Sequence, residues 1–224
     1  MEIIARIHSD FPTKFGVPRQ SGLTEALISA VVPEPAFRNP DYFRGIESWS
    51  HLWLVWQFDR VPQEQYSPTV LPPKLGGKTR VGVFATRSPF RPNHLGLSCV
   101  KLVKFEPHGK DGPVLYVAGA DLVDGTPIFD IKPYVPYADC RPDAVDAFAG
   151  ARQDTPLEVI FPPELLELIA PDKRAGLIQA LSLNPRPGYQ HDPHRRYGFN
   201  FAGFDVRFTI CGDTLTVVEL VPLE

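Results

Sequence analysis

The sequence predicts a mainly β chain, folded as a sandwich or a barrel, with a small α+β unit at its C-terminal end. Three observations carry this prediction. Twenty-five prolines and 17 glycines are scattered through the 224 residues, which leaves little room for long helices. Short β-rich runs lie between them, the arrangement of an antiparallel sandwich or barrel. After Tyr137 the texture changes, and helical spacing appears for the first time.

Strands are expected at Glu2 to His8, His51 to Phe58, Val81 to Ala85, Leu97 to Phe105, Val114 to Ala120 and Ile128 to Tyr134. The second is the clearest. Alternation puts Leu52, Leu54, Trp56 and Phe58 on one face and His51, Trp53, Val55 and Gln57 on the other. Trp49, Trp53 and Trp56 are expected to pack in the core, with Trp53 facing away from the other strand residues.

Residues 1–140 read as one domain, 141–155 as an Ala- and Asp-rich linker, and 156–224 as a second domain. Within the latter, Pro163 opens a helix through Ile169, and Asp172 caps another reaching about Leu183. Two strands close the chain, Phe204 to Ile210 and Thr214 to Val221, joined by a tight turn through Cys211-Gly212-Asp213. A unit this small needs to pack on the first domain.

No apolar run reaches the roughly 18 residues of a spanning helix. The opening Met1-Glu2-Ile3-Ile4-Ala5-Arg6 lacks a signal-peptide layout, so the expected compartment is the cytoplasm, without a membrane partner. Cys99, Cys140 and Cys211 form neither an even set nor a Cys-x-x-Cys pair, and are expected to be buried thiols. His191-Asp192-Pro193-His194 has metal donors but no accompanying ligand set, so no metal is expected.

The net charge of −3 conceals an asymmetry. Lys74, Lys78, Arg80, Arg87, Arg91, Lys101 and Lys104 fall in a window without Asp or Glu, whereas Asp121 to Asp172 holds eleven carboxylates against Lys132, Arg141 and Arg152. Charges beyond a Debye length of about 8 Å are screened, so a local basic field can draw a polyanion to an acidic protein.

Inside that window, Ala85-Thr86-Arg87-Ser88-Pro89-Phe90-Arg91-Pro92-Asn93 is built to hold an anionic or nucleotide-like ligand. Two planar guanidinium forks suit carboxylate or phosphate, and Pro89 and Pro92 reduce the entropy lost on binding. Val17-Pro18-Arg19-Gln20-Ser21-Gly22 has a similar character, and Asp124-Gly125-Thr126-Pro127 is a turn before the strand containing Asp130, Lys132 and Tyr134.

These segments, with Pro40-Asp41-Tyr42-Phe43-Arg44-Gly45-Ile46, Gly82-Val83-Phe84-Ala85, and Leu95-Gly96-Leu97-Ser98 after Arg91-Pro92-Asn93, resemble the TsaA-like family over residues 1 to about 140. The tail with Asn184-Pro185-Arg186-Pro187-Gly188-Tyr189 is similar to the extra domain of bacterial members. The resemblance implies a single-sheet antiparallel β-barrel, usually a homodimer, that uses S-adenosylmethionine to methylate threonylcarbamoyladenosine beside the tRNA anticodon. Consistent with a non-Rossmann fold, no Gly-x-Gly-x-x-Gly follows a strand.

By motif, the resemblance implies cofactor contacts at Pro18, Arg19, Gln20, Asp59, Arg60, Arg87, Leu97, Asp124, Gly125, Thr126 and Pro127. Asp59 stands where members commonly have His, and His94 where a small residue or proline is usual. A proton acceptor for the target nitrogen could be Asp130, Tyr134 or His94. Substrate contacts are expected from Arg91, Asn93, Lys132, Arg186, Arg195 and Arg196, with Tyr189 and Tyr197 available to stack an anticodon-loop base. Two other readings stay open: a non-catalytic RNA adaptor or sensor that binds S-adenosylmethionine or a nucleoside, and a methyltransferase with a small-molecule or protein substrate.

Overall fold

The structure is a computed structural model, and it describes residues 1–145, 147, 155–186, 192 and 195–223. Its first part contains strands β1 (Ala5–His8), β2 (Ile28–Pro33), β3 (His51–Gln57), β4 (Thr69–Val70), β5 (Val81–Gly82), β6 (Leu95–Gly109), β7 (Gly112–Ala118) and β8 (Pro127–Pro133). Six of these close into an antiparallel barrel in the order β1-β2-β7-β6-β3-β8, and β8 returns to β1. The barrel alternative is therefore the correct one. β4 and β5 form a separate two-stranded ribbon.

Strand alternation fills the barrel. Leu52 and Leu54 are fully buried, Trp56 is nearly so, and Ile7, Val31, Val100, Leu115, Val117 and Ile128 complete the interior. Gly96 faces Trp56 from the neighbouring strand, where an added Cβ would lie 2.3 Å from the indole ring. Trp53 lies on the strand face opposite Trp56, as alternation predicts, but outside the core, half-buried, and it donates from its indole N–H to Asp139 at 3.0 Å. Trp49, by contrast, is exposed rather than in the core.

Two further expectations need correction, and one strand was not predicted at all. The run Val81 to Ala85 is a strand only to Gly82, after which Val83–Ala85 makes a 3₁₀ turn that buries Val83 and exposes Phe84. β2 was hidden in Ile28-Ser29-Ala30-Val31-Val32-Pro33, a short run ended by proline. Of the cysteines, Cys140 and Cys211 are exposed and Cys99 is half-buried.

After β8 come α1 (Pro136–Asp139), β9 (Glu158–Ile160), α2 (Pro163–Leu166), α3 (Pro171–Ser182), β10 (Tyr197–Phe201), β11 (Phe204–Cys211) and β12 (Thr214–Pro222). The last three are antiparallel, and β9 adds in parallel to β12. Asp172 lies in the first turn of α3 and is not its cap, because Pro171 occupies the first helical position. β10, unseen in the sequence, pairs with β11 through a turn with positive φ at Ala202 and Gly203. Most of the expected linker, residues 146 and 148–154, lies outside the described residues.

The second core gathers Phe199, Phe201, Phe208, Ile210 and Leu215 against Leu177 and Leu181 of α3. Phe11 and Leu27 join it from the loop between β1 and β2. That loop is pinned further by an ion pair between Lys173 and Asp10 at 2.8 Å and by Gln179 accepting from the Ala26 N–H at 3.1 Å. The C-terminal unit thus fixes a barrel loop, and that loop carries Pro18-Arg19-Gln20-Ser21.

Candidate active site

Strand direction decides which loops meet. β1, β3 and β7 end, and β2, β6 and β8 begin, at the same rim, since His8 pairs with Ala30, Gln57 with Leu95, Ile28 with Ala118 and Arg6 with Pro127. Connections 9–27, 58–94 and 119–126 therefore share one end of the barrel. They contain Pro18, Arg19, Gln20, Asp59, Arg60, Arg87, Asp124, Gly125 and Thr126, and Pro127 and Leu97 lie at the starts of β8 and β6.

The loops are tied to each other by side chains. Arg87 donates from Nη1 to Oε1 of Gln20. Arg60 donates to the carbonyls of Pro12 at 2.5 Å and Asp124 at 2.9 Å, so it links all three connections. Asp124 accepts from the Ser9 N–H at 3.0 Å and lies 3.4 Å from Nδ1 of His8. Gly125 takes φ 79°, a conformation that favours glycine, and its N–H donates to the Ile7 carbonyl at 2.8 Å. Thr126 is buried, with its hydroxyl on the Val123 carbonyl at 2.7 Å.

The remaining residues divide between structural contacts and open positions. Arg19 directs Nη2 to the carbonyls of Asn184 and Arg186 at 3.3 and 3.2 Å, bridging to the C-terminal unit. Arg91 turns back on its own loop, donating to Thr86 and Ser88 carbonyls at 3.2 and 3.1 Å. It shapes a cleft of about 190 Å³ lined by Phe84, Arg91, Pro92, Asn93 and Leu95. Asn93, Asp59 and Leu97 are exposed.

None of the three proton-acceptor candidates is open to this rim. His94 is buried at φ 49°, with Nε2 3.3 Å from the Gln65 carbonyl. Asp130 faces outward on the barrel wall, paired with Lys132 at 3.0 Å, which also leaves Lys132 away from the rim loops. Tyr134 lies past the far end of β8, roughly 20 Å along the strand from Pro127, against Trp53 and His51. Burial, with the nearby Cys140 and Cys99, pushes its phenol up from the ordinary value.

A polar chain at the rim escaped the sequence reading. The Trp56 indole N–H donates to Oγ of Ser98 at 2.9 Å, and the Ser98 hydroxyl donates to Oδ1 of Asp121 at 2.5 Å. Burial raises the Asp121 carboxyl above the ordinary carboxylate range, against the opposing pull of Ser98, nearby main-chain N–H groups and Arg87. The available signal was Ser98 itself, a polar residue at an inward position of β6 two residues before buried Val100.

On the C-terminal unit, Arg195 and Arg196 are exposed and Arg186 is half-buried. The Arg195 guanidinium lies 5.7 Å from the centre of the Tyr197 ring. Tyr197 is buried and packs on Phe208, so it is not a stacking surface for a base. Tyr189 and all but Asp192 of the His191–His194 run lie outside the described residues. Among the described residues, no group of three or more His, Cys, Asp or Glu side chains could hold a metal ion.

A closed β-barrel whose rim collects an arginine, an amide, a conformationally fixed glycine turn and a half-buried carboxylate defines a small-ligand-binding barrel outside the Rossmann class. Residues 6–140 match the tRNA-methyltransferase O N-terminal domain and residues 154–223 the TrmO C-terminal domain, and the chain belongs to that family. It is 37% identical over 229 residues to the tRNA (adenine(37)-N6)-methyltransferase of Escherichia coli K12, covering 99% of this chain and 97% of the relative. A Pseudomonas aeruginosa protein whose name refers to S-adenosylmethionine-dependent methyl transfer is 38% identical over 92% of this chain and 90% of its own. A crystal structure of TrmO from Pseudomonas aeruginosa superposes with a TM-score of 0.76 at 32% identity, covering 98% of this chain and 97% of that one.

Proposed function

We propose that the protein transfers the methyl group of S-adenosylmethionine to the N6 nitrogen of threonylcarbamoyladenosine beside the anticodon of tRNA. The observation that carries this reading is the meeting of connections 9–27, 58–94 and 119–126 at one barrel rim in a chain of the tRNA-methyltransferase O family. The side chains there fit the methyl donor. Arg87 offers a guanidinium for its carboxylate, Leu97 an exposed apolar surface, and the Asp124–Thr126 turn a fixed run of main-chain groups.

When bound, S-adenosylmethionine supplies a methyl group already activated on sulfur. The chain's task is then alignment, which can contribute roughly 7–11 kcal/mol when reacting atoms are held near 3–3.5 Å. Arg60 and Gln20 serve this by holding the three connections together. Asn93, at the cleft beside Arg91, faces the side where substrate approaches, and the exposed Arg195 and Arg196 with Arg186 extend a cationic surface for the anticodon stem-loop.

A cytoplasmic homodimer belongs to the same reading. Phe84 and Phe90 leave apolar surface at the rim for a second copy to cover. Light scattering of the purified protein tests the assembly.

The test of function is methyl transfer to two tRNAs of one sequence, with and without threonylcarbamoyl on the adenosine. Transfer to the modified tRNA alone is expected. Binding of S-adenosylmethionine without transfer to either would identify an adaptor instead.

A further inference from the structure

Asp121 is a half-buried carboxylate at the rim, and none of the motif residues assigned to the site includes it. It stands where three parts of that site converge. Ser98, which donates to its Oδ1 at 2.5 Å, is the neighbour of the exposed Leu97 on β6. The Ser21 main chain lies beside the same carboxylate, and the positive charge of Arg87 acts on it through space, without a direct ion pair. Ser21 is itself fixed, because its Oγ accepts from the Cys99 N–H at 3.2 Å and the next residue, Gly22, donates to the Gly119 carbonyl at 2.8 Å.

The geometry is of a negative charge set behind the binding loops instead of within them. Trp56 and Ser98 spend their donors in sequence toward Asp121, which orients the carboxylate from the barrel interior. Arg87 in turn reaches Gln20, next to Ser21. Removing the charge would take away the negative field that Arg87 feels beside its bond to Gln20, while the Ser98 hydroxyl could still find an acceptor in an asparagine.

We propose that Asp121 is a positioning residue for the methyl donor: through Ser98, Ser21 and Arg87 it holds the Pro18–Ser21 segment and the Arg87 loop in their binding arrangement. This inference rests on the functional reading above. It assigns no proton transfer to Asp121, and the role is one of affinity.

The experiment measures S-adenosylmethionine binding by titration calorimetry, and turnover with threonylcarbamoylated tRNA, for the wild type, Asp121→Asn and Ser98→Ala. Asp121→Asn should bind the donor about tenfold more weakly, the scale of one lost charge-assisted contact, with kcat at saturating donor within about twofold of wild type. The wild-type affinity should also fall as pH is lowered and Asp121 protonates, whereas the Asp121→Asn affinity should not follow that step. Ser98→Ala, which keeps the charge but frees the carboxylate, should show a smaller loss. Circular dichroism melts of the ligand-free variants establish that each is folded.

Unchanged affinity in Asp121→Asn, or a fall in kcat with affinity unchanged, overturns the proposal. The second result would move the role of Asp121 from donor binding to the chemical step. Donor binding by the wild type tests the functional reading, and the difference between wild type and variants tests Asp121.

Discussion

The guanidinium of Arg87 donates to Oε1 of Gln20, 67 positions earlier in the chain, and joins two loops of one barrel rim. Both side chains are polar, and the donor is exposed. On the proposed function, the pair sets the two loops for one shared ligand. Arg87→Ala should therefore weaken S-adenosylmethionine binding by about 10- to 100-fold, the range for a lost hydrogen bond to a charged group. Its melting temperature should stay close to wild type. Titration calorimetry checks the first outcome and a melt the second.

Packing beside the site gives a second prediction. An added Cβ at Gly96 would lie 2.3 Å from the Trp56 ring, which is enclosed by the barrel and touches Phe58 with ring centres 4.3 Å apart. The indole cannot swing away without breaking its bond to Ser98. Gly96→Ala should lose about 1–3 kcal/mol of stability, the usual cost of overpacking, measured by urea unfolding. Donor binding should fall with it.

Asp139 gives the protein a pH-dependent contribution on the opposite rim. The Val135 N–H and the Trp53 indole hold its carboxyl below the ordinary carboxylate range. A depressed folded-state pKa stabilises fully above the unfolded value of about 3.9, and this is lost as pH falls through the folded value. Wild type should exceed Asp139→Asn in urea midpoint at neutral pH, and the gap should close as pH drops below about 3.9. Urea titrations across pH measure it.

The arginines of the C-terminal unit bear on the nucleic acid. Replacing Arg195 and Arg196 together by Ala should weaken tRNA binding and reduce the salt dependence of log K by roughly 1 to 2 units of slope. Affinity for the methyl donor should not change. Filter binding over a salt series tests this, and an unaltered slope would remove these residues from the RNA surface.

The barrel was legible where one rule applied cleanly. The alternation of His51 to Gln57 placed Leu52, Leu54 and Trp56 inside and Trp53 outside, and the structure agrees. It was not legible where tertiary contacts override local pattern. Val83 to Ala85 has strand composition, but burial of Val83 alone makes a 3₁₀ turn there. Ile28 to Pro33 is short and ends in proline, so nothing local separates a strand from a loop.

The site divides the same way. Loops that share a rim can be expected from ordered motifs, but the motifs do not say which way a side chain turns. Arg91 folds back on Thr86 and Ser88, Arg19 reaches the C-terminal unit, and His94 is buried in a left-handed conformation. Asp121 and Ser98 act through pairing across 23 positions, which no local pattern encodes.

The most direct measurement is a crystal structure of the protein soaked with S-adenosylmethionine. The donor is expected at the rim formed by connections 9–27, 58–94 and 119–126, with Arg87 and the Asp124–Thr126 turn in contact. Density for the donor at the opposite rim, or on the C-terminal unit with Arg87 still held only by Gln20, would contradict it.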